Sequence, residues 1–326
     1  MQKHHNRNNA QSVFGVHQIP STSQIGNLLD PIAPEMLYPM LAGAGEKLYA
    51  QGCLELFVSM GGKLLVALDG IDSFSSEKIS CPCCTRQTLK NGKTWYRHTV
   101  VIVAPGQSRV VPLPPELVVA QDGQEKQDCE LAAAKRWLTA WGSHHAPRRI
   151  TLSGADDLYC YQPFCEAVLA QQMDFLFVCK PDSHTLLYEW VDDFARTGEV
   201  HILEKSRWNG KQLLTESYRY LDRVPLRNSD DALLVNWCKI PLTNAKQQVV
   251  YRNAWATSHT IDEHNVVEMV AAGYDRWKIQ NENNNVLKNH GYHFEHNFAH
   301  GKQHLSNFLA YPQLIGFPSP SFLFFK

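Results

Sequence analysis

The chain has 326 residues, of which 44% are hydrophobic and 19% are charged, so it can bury a large core and is not intrinsically disordered. Its formal net charge of -1 argues against a protein that binds nucleic acid through overall charge, although local basic patches can still do so. The longest apolar runs, such as 64–68, are far too short to span a membrane. Nine cysteines without a small-domain framework indicate a reducing compartment, and we expect a cytoplasmic protein.

The first part of the chain carries helical signals from about residue 21 to residue 55. Strand patterns begin with the apolar run LLVALDG, which ends in Asp69. Two further strands, at 99–106 and 108–116, are predicted as a meander because turn residues separate them. Apolar residues then recur on one side of 122–141, which predicts a helix.

The second half begins with a strand at 148–157, a helix at 163–172 and a strand at 173–182. Residues 200–257 switch to four segments of alternating polarity, which predict antiparallel strands inserted before a final helix. That helix, RWKIQNENNNVLKNHG, covers 276–291 and ends at a glycine. The order of elements predicts an α/β protein with a mixed sheet flanked by helices.

Two of the predicted strands end in aspartate, at Asp69 and at Asp156. Carboxylates that meet at one edge of a sheet suit Mg2+, which prefers hard oxygen ligands, and a pair of such ions assists in-line phosphoryl displacement. Each motif also has an ordinary structural interpretation. Asp69 can open a turn with Gly70, and Asp156 with Asp157 can cap the helix that follows.

The order of elements and four sequence blocks resemble DDE-type insertion-sequence transposases of the class with a β insertion before the last acid. The blocks are LLVALDGIDSFSS, ITLSGADDLYCYQPFCEAVL, FVCKPDSHTLLYEW and YDRWKIQNENNNVLKNHGYHFEHNFAHGKQHL. The resemblance runs from about residue 13 to about residue 310. It implies a ribonuclease H-like core that uses Mg2+ or Mn2+ to cleave DNA at element ends and to join those ends to a target.

The resemblance also assigns roles to individual residues. Carried over by position, Asp69 matches the first acid and Asp156 the second, with Asp157 as an adjacent candidate. The acid of the family's RWxIE pattern falls on Gln280, which is an amide. Three more residues match those that contact DNA phosphates, although their spacing departs from the family's: Tyr274, Arg276 and Lys288.

Glu282 is the carboxylate nearest in sequence to Gln280. In an α-helix, Gln280 and Asn284 share a stripe that should face the core and the two aspartates. Glu282 lies roughly 200° away and groups with Asn285 and Asn289 on the solvated side. A neutral amide forfeits about 4 kcal/mol of attraction to a metal at an effective dielectric of ~20 and ~4 Å. We therefore expect a chain that keeps the fold but is catalytically weak or inactive.

A second metal site is suggested by the cysteine pair Cys81 and Cys84, with His98 beyond the next turn. Structural zinc sites have four ligands, so Cys83 or Cys129 would have to supply the fourth. The ordinary interpretation is a buried hairpin whose cysteines pack as small apolar residues.

A zinc hydrolase is a further possibility, because His296, His300 and His304 are spaced four apart. However, Glu295 precedes the first histidine instead of lying between the pair, and Gly301 interrupts the helix. We prefer contact with a phosphate, or a histidine-rich helix that packs near DNA.

These inferences give a domain scheme and three functional hypotheses. Residues 1–60 form a helical segment, truncated for a DNA-binding region. Residues 61–310 form the catalytic domain, with its β insertion at about 200–257, and 311–326 form an irregular tail. The main hypothesis is a transposase whose partners are terminal repeats, target DNA and a second protomer. The alternatives are a metal-dependent nuclease of the same fold and a non-catalytic DNA-binding remnant.

Overall fold

The computed structural model describes residues 20–89, 92–105, 110–118, 128–145, 149–154, 156–275, 277–290, 293–296 and 299–316. Its strands, in chain order, are β1 Val58–Ser59, β2 Lys63–Ser76, β3 Thr85–Leu89, β4 Gly92–Pro105, β5 Val110–Leu117, β6 Ile150–Gly154, β7 Asp174–Val178, β8 His201–Trp208, β9 Leu213–Pro225, β10 Leu234–Asn244 and β11 Val249–Thr257. Its α-helices are α1 Thr22–Leu29, α2 Tyr38–Ala50, α3 Glu130–His145, α4 Gln162–Ala170, α5 Thr185–Thr197, α6 Val266–Asp275, α7 Asn285–Asn289 and α8 Leu305–Gly316. A π-helix, Ile279–Asn284, precedes α7.

The described strands form one mixed sheet in the order β3-β4-β2-β6-β7-β11-β10-β9-β8, with β1 on β2 and β5 on β4. The pairs β2–β6 and β6–β7 are parallel, whereas β2 and β4 are antiparallel. The prediction of an α/β protein with a mixed sheet is therefore confirmed.

The four predicted strands at about 200–257 are β8 to β11, and they pair antiparallel with one another. Through β11, which pairs antiparallel with β7, they continue the central sheet. The inserted region is therefore an extension of the same sheet, and β11 belongs to its centre.

Alternating residues of β2 face two different layers, as the period of a strand requires. Leu64, Val66 and Leu68 pack in a core cluster with residues of α3, α4 and α5, such as Trp137. On the other face, Ala67 packs with residues of the π-helix, α7 and α8. Helices thus cover both faces of this strand, which explains why the run LLVAL has apolar residues at every position.

Two predicted element boundaries are wrong. Strand β2 does not end at Asp69, because it remains paired with β4 as far as Ser76. Residues 311–316 are not irregular, since they belong to α8, where Tyr311 is fully buried. Among the described residues, no helix combines the length and the apolarity that a membrane crossing needs.

Candidate active site

Parallel pairing places the two predicted acids at the same edge of the sheet. Strands β2 and β6 pair in register from Leu64 with Ile150 to Leu68 with Gly154. Asp69 follows by one position the last residue of β2 that pairs with β6, and Asp156 follows by two positions the last residue of β6 that pairs with β2. Because adjacent parallel strands deliver their carboxyl ends to one edge, both acids reach one location.

The lack of a side chain at Gly154 allows the ring of Tyr159 to approach the end of β6 closely. A Cβ atom added at Gly154 would lie 2.5 Å from the ring of Tyr159, so a side chain there would displace the ring. Asp156 then caps the short 3-10 turn Asp157–Tyr159, since its Oδ1 accepts the Asp157 N–H at 2.8 Å. The predicted cap on the following helix is therefore wrong, because α4 has Tyr161 at its N-cap without a side-chain hydrogen bond, and Asp156 caps this single turn instead with one carboxylate oxygen.

Asp69 lies on the face of β2 that also carries Ala67 and Ile71. Those two residues pack against Ile279 and Leu287. This face of the strand is therefore turned towards the late helix, the name used here for the π-helix Ile279–Asn284 together with α7. The alternative in which Asp69 opens a turn is wrong, because β2 continues past it.

A cavity of about 650 Å3 opens between the strand ends and the late helix. Its described lining contains three aspartates, five amides, one lysine, one tryptophan and two further residues of β2: Asp69, Asp72, Asp156, Gln280, Asn281, Asn284, Asn285, Asn289, Lys288, Trp277, Gly70 and Ile71. Two predicted acids and the amide at the third position thus border the same space. Sequence reasoning missed Asp72, although it lies only three residues after Asp69.

The Asp156 carboxylate carries a counter-ion from the neighbouring strand end. Lys180 Nζ lies 2.6 Å from Asp156 Oδ1 and 3.2 Å from Asp157 Oδ1. Hydrogen bonding to Asp156 raises the pKa of Lys180, so its ammonium stays charged. Any cation that uses the Asp156 carboxylate has to compete with this ammonium.

Asp157 is turned towards a different set of partners from Asp156. Its Oδ2 accepts a hydrogen bond from Ser183 Oγ at 2.6 Å. Partial burial raises the pKa of Asp157, but hydrogen bonds involving Asp156, Ser183 and Lys180 lower it to about 2. Asp157 is therefore ionised throughout the physiological range and holds Lys180 beside Asp156.

A buried tyrosine lies behind the acids. Tyr159 is fully buried, and its hydroxyl donates a 2.5 Å hydrogen bond to Glu130 Oε1 at the start of α3. Burial first, and then the charges of Glu130, Asp69 and Asp156, raise the pKa of Tyr159 well above its usual value. The phenol therefore stays neutral, and Glu130 is a further acid near the site that the sequence did not single out.

The late helix departs from α-helical geometry at the site. Ile279–Asn284 is a π-helix, and the Asn285 N–H donates to the Gln280 carbonyl five residues earlier. The α-helical period predicted Asn285 and Asn289 on the solvated side, away from Gln280. Both are exposed, as predicted, but they line the cavity together with Gln280, so the predicted separation from Gln280 is wrong. Gln280 is itself exposed and does not face the core, and the wider π turn accounts for the change in phase.

The other residues assigned by the resemblance fall in different places. Tyr274 is half-buried, with its ring centroid 5.9 Å from that of Trp255. Lys288 borders the cavity and pairs with Glu295 at 2.7 Å. Arg276 and the side chain of Glu282 lie outside the described residues.

The cysteine pair meets a histidine that the sequence did not assign to it. Cys81 Sγ lies 3.5 Å from Cys84 Sγ, and Cys84 Sγ lies 3.5 Å from His300 Nδ1. His98 lies on β4, but its side chain is outside the described residues. The predicted fourth ligand Cys129 is exposed and does not belong to the ligand group formed by the described residues.

The histidines of the proposed zinc-hydrolase motif do not share a helix. His296 and His300 lie outside helical structure, and α8 begins only after His304. The spacing of four therefore does not bring the three rings to one helical face, which removes the geometric basis of that motif.

Comparison with known proteins gives no match: no family model matches the chain, and no curated protein matches it significantly.

Proposed function

We propose that the chain is a DDE-type transposase with a ribonuclease H-like core, which cleaves and joins DNA with the help of Mg2+ or Mn2+. The observation that carries this proposal is the shared cavity of Asp69, Asp156 and Gln280. The strand order β5-β4-β2-β6-β7, with β4 antiparallel to β2, supports the proposed core.

The donor set around the cavity fits a divalent cation. Mg2+ is usually bound through one or two carboxylates together with water and substrate phosphate oxygens. Asp69, Asp72 and Asp156 offer carboxylates, and Gln280 offers a neutral amide oxygen. Asp69 and Asp156 would hold the ion, which when bound activates an attacking oxygen and stabilises the leaving one.

The chain's own groups suit a phosphodiester strand at the same place. Lys288 borders the cavity with a positive charge that can bind a backbone phosphate. Trp277 borders it as well, and its side chain is 43% exposed, so it presents an aromatic face on which a base can stack. Asn284 orients the Asp69 carboxylate by a hydrogen bond of 3.2 Å.

Gln280 lowers the negative charge of this cavity relative to a carboxylate at the same position. We propose that activity is weak for this reason, with Asp72 making up part of the missing charge. Restoring the acid with Gln280→Glu should raise strand-transfer activity more than tenfold, since about 1.4 kcal/mol of recovered attraction already corresponds to tenfold.

The test supplies labelled DNA ends from the sequences that flank the gene, a supercoiled target plasmid and Mg2+ or Mn2+. The variants are wild type, Gln280→Glu, Asp69→Asn, and Asn289→Asp as a control that adds the same charge elsewhere on the cavity. We expect joined product to rise in Gln280→Glu alone and to vanish in Asp69→Asn.

Other results would favour the alternatives. Cleaved ends without joined product would indicate a nuclease. DNA binding without metal-dependent cleavage, even in Gln280→Glu, would indicate a non-catalytic remnant. Equal and robust joining by wild type and Gln280→Glu would refute the weak-activity proposal.

The β8–β9 hairpin is a second surface for DNA. Trp208 lies near its tip and is 65% exposed. The basic residues of β8 and β9 do not form one face, because Lys205 is paired with Glu216 whereas Arg219 is paired with Ile202, which is three residues from Lys205 and therefore points to the other face. Arg207 pairs with Glu216, as Lys288 pairs with Glu295 at the cavity, so ion pairing does not distinguish the two surfaces. Because the basic residues of the hairpin are divided between two faces, we propose that the principal phosphate contacts lie at the cavity.

A further inference from the structure

The turn between β2 and β3 brings two thiols together. The Cys84 N–H donates to the Cys81 carbonyl at 2.9 Å, which closes a tight turn and sets the two Sγ atoms 3.5 Å apart. A disulfide would require about 2.05 Å between the sulfurs, and both cysteines are free. Two thiols held at this separation, with two residues between them, form half of a typical zinc-binding site.

A distant segment supplies the third ligand. His300 Nδ1 lies 3.5 Å from Cys84 Sγ, and the ligand atoms of Cys81, Cys84 and His300 all lie within 4.8 Å of one another. The His300 ring packs against Phe74, with their centroids 4.4 Å apart. The imidazole is thus held by a neighbouring side chain with its Nδ1 atom towards the thiols.

The distances agree with tetrahedral zinc. Bonds of about 2.3 Å to sulfur and about 2.05 Å to nitrogen place two sulfurs about 3.8 Å apart and a sulfur about 3.6 Å from a nitrogen. The observed 3.5 Å separations need only small adjustments. Soft thiolates with an imidazole favour zinc over magnesium or calcium.

The backbone around His300 is anchored independently of any metal. The Asp30 carboxylate accepts the N–H groups of Lys302, Gln303 and Leu305 at 2.8 to 3.0 Å. Gly301 adopts φ +66°, and a Cβ atom there would lie 2.2 Å from Asp30 Oδ1. These hydrogen bonds fix the position of the loop that follows His300 before α8 begins. The position of His300 therefore does not require a bound metal ion.

We propose that Cys81, Cys84 and His300 bind a structural zinc ion, with Cys83 as its fourth ligand. Cys83 is buried and adjacent in sequence to Cys84, but its sulfur is not among the three ligand atoms that lie within 4.8 Å of one another. Its thiol now donates to the Gln303 carbonyl at 2.8 Å, and it would have to exchange that bond and turn towards the metal. The ion would join the β2–β3 turn to the segment before α8. These two segments are far apart in the sequence, since 216 positions separate Cys84 from His300. This zinc site is separate from the acid cavity and does not depend on the proposed function.

The first test measures zinc in the wild-type protein, purified without a histidine tag, saturated with Zn2+ and dialysed against metal-free buffer. We expect one zinc ion per chain by mass spectrometry of the metal. Substitution by Co2+ should give the absorption bands of tetrahedral cobalt with thiolate ligands. Wild-type protein that retains no zinc above the buffer would overturn the proposal.

Variants locate the ion. His300→Ala and Cys81→Ser should lose the zinc, whereas Cys129→Ser, at an exposed cysteine, and Asp69→Asn, in the acid cavity, should retain it. Far-ultraviolet circular dichroism checks that each variant is folded. Zinc retained in folded His300→Ala and Cys81→Ser would overturn the site.

The fourth ligand has its own readout. In Cys83→Ser the thiolate-to-cobalt absorption should fall by about one third, because two of three thiolates remain. An unchanged spectrum would remove Cys83 from the ligand set. Chelation should lower the melting temperature of wild type but not that of His300→Ala, since only the former loses a cross-link between distant segments.

Discussion

Asn284 Nδ2 donates a hydrogen bond of 3.2 Å to Asp69 Oδ2. The neighbouring Asn283 Nδ2 donates to Asn284 Oδ1 at 2.9 Å, so the amide of Asn284 has one orientation that satisfies both partners. A buried amide of the π-helix therefore connects the late helix to the first acid of the site.

Replacement of Asn284 should destabilise the fold. Asn284→Ala removes a buried hydrogen bond to a charged group, and we expect the free energy of unfolding to fall by about 1–3 kcal/mol. The exposed neighbour Asn285 is the matched control, and Asn285→Ala should change the same quantity by less than about 0.5 kcal/mol. Urea unfolding measures both, and equal stabilities of the two variants would show that the contact with Asp69 contributes nothing.

Asp72 should contribute to cation binding. It borders the cavity with Asp69 and Asp156, so Asp72→Asn removes one of the three carboxylate charges of the described lining. We expect Mn2+ to bind severalfold more weakly, as measured by calorimetric titration. Asp230→Asn, at an exposed acid between β9 and β10, is the control for general charge effects, and an unaltered Mn2+ affinity in Asp72→Asn would exclude Asp72 from the site.

Lys180 should oppose cation binding. Its ammonium lies 2.6 Å from Asp156 Oδ1 and has to move before a metal ion can use that oxygen. Lys180→Met keeps the length of the side chain and removes the charge, so we expect Mn2+ to bind severalfold more tightly. Lys246→Met, in the exposed turn between β10 and β11, should leave the affinity unchanged. Weaker binding in Lys180→Met would mean that the lysine organises the acids rather than competing with metal.

The apolar runs explain why the strands around the site could be predicted. Residues 64–68 of β2 and 175–178 of β7 have neighbours on both faces, so these runs are apolar without alternation, whereas β6 (ITLSG) alternates apolar residues with the buried polar residues Thr151 and Ser153. Once the parallel pairing of β2 with β6 was known, Asp69 and Asp156 had to lie near one edge of that pair. The length of β2 could not be predicted in the same way, because most residues beyond Asp69 are small or polar and their place in the sheet depends on pairing with β4.

Two features of the sites required tertiary structure. The π-helix at Ile279–Asn284 changes the phase of the late helix, and no local propensity distinguishes it from an α-helix. His300 joins the cysteine cluster because the fold brings it back over 216 residues to Cys84. Spacing in the sequence identifies ligands within one turn, whereas a partner from another element depends on the packing of the whole domain.

His259 should make the stability of the protein depend on pH. Burial first, and then the positive charge of Lys63, lower the pKa of His259 from its usual 6.5 to about 4. Between those values the unfolded chain binds a proton that the folded chain does not, so stability rises as pH rises from 4 to 6.5 and is lost as pH falls through this window. The ring also lies 2.9 Å from Thr151 Oγ1 on β6, which fixes its position.

The variant His259→Gln should remove this dependence. We expect the free energy of unfolding of wild type to fall between pH 7 and pH 4.5 by about 1–2 kcal/mol more than that of His259→Gln, after allowance for the partial exposure of the ring. His264→Gln is the control, because the His264 side chain is 84% exposed and its replacement should leave the pH dependence of wild type intact. Denaturant unfolding at the two pH values measures the differences. If His259→Gln and His264→Gln lost the same stability on acidification, the buried neutral state of His259 would not contribute to it.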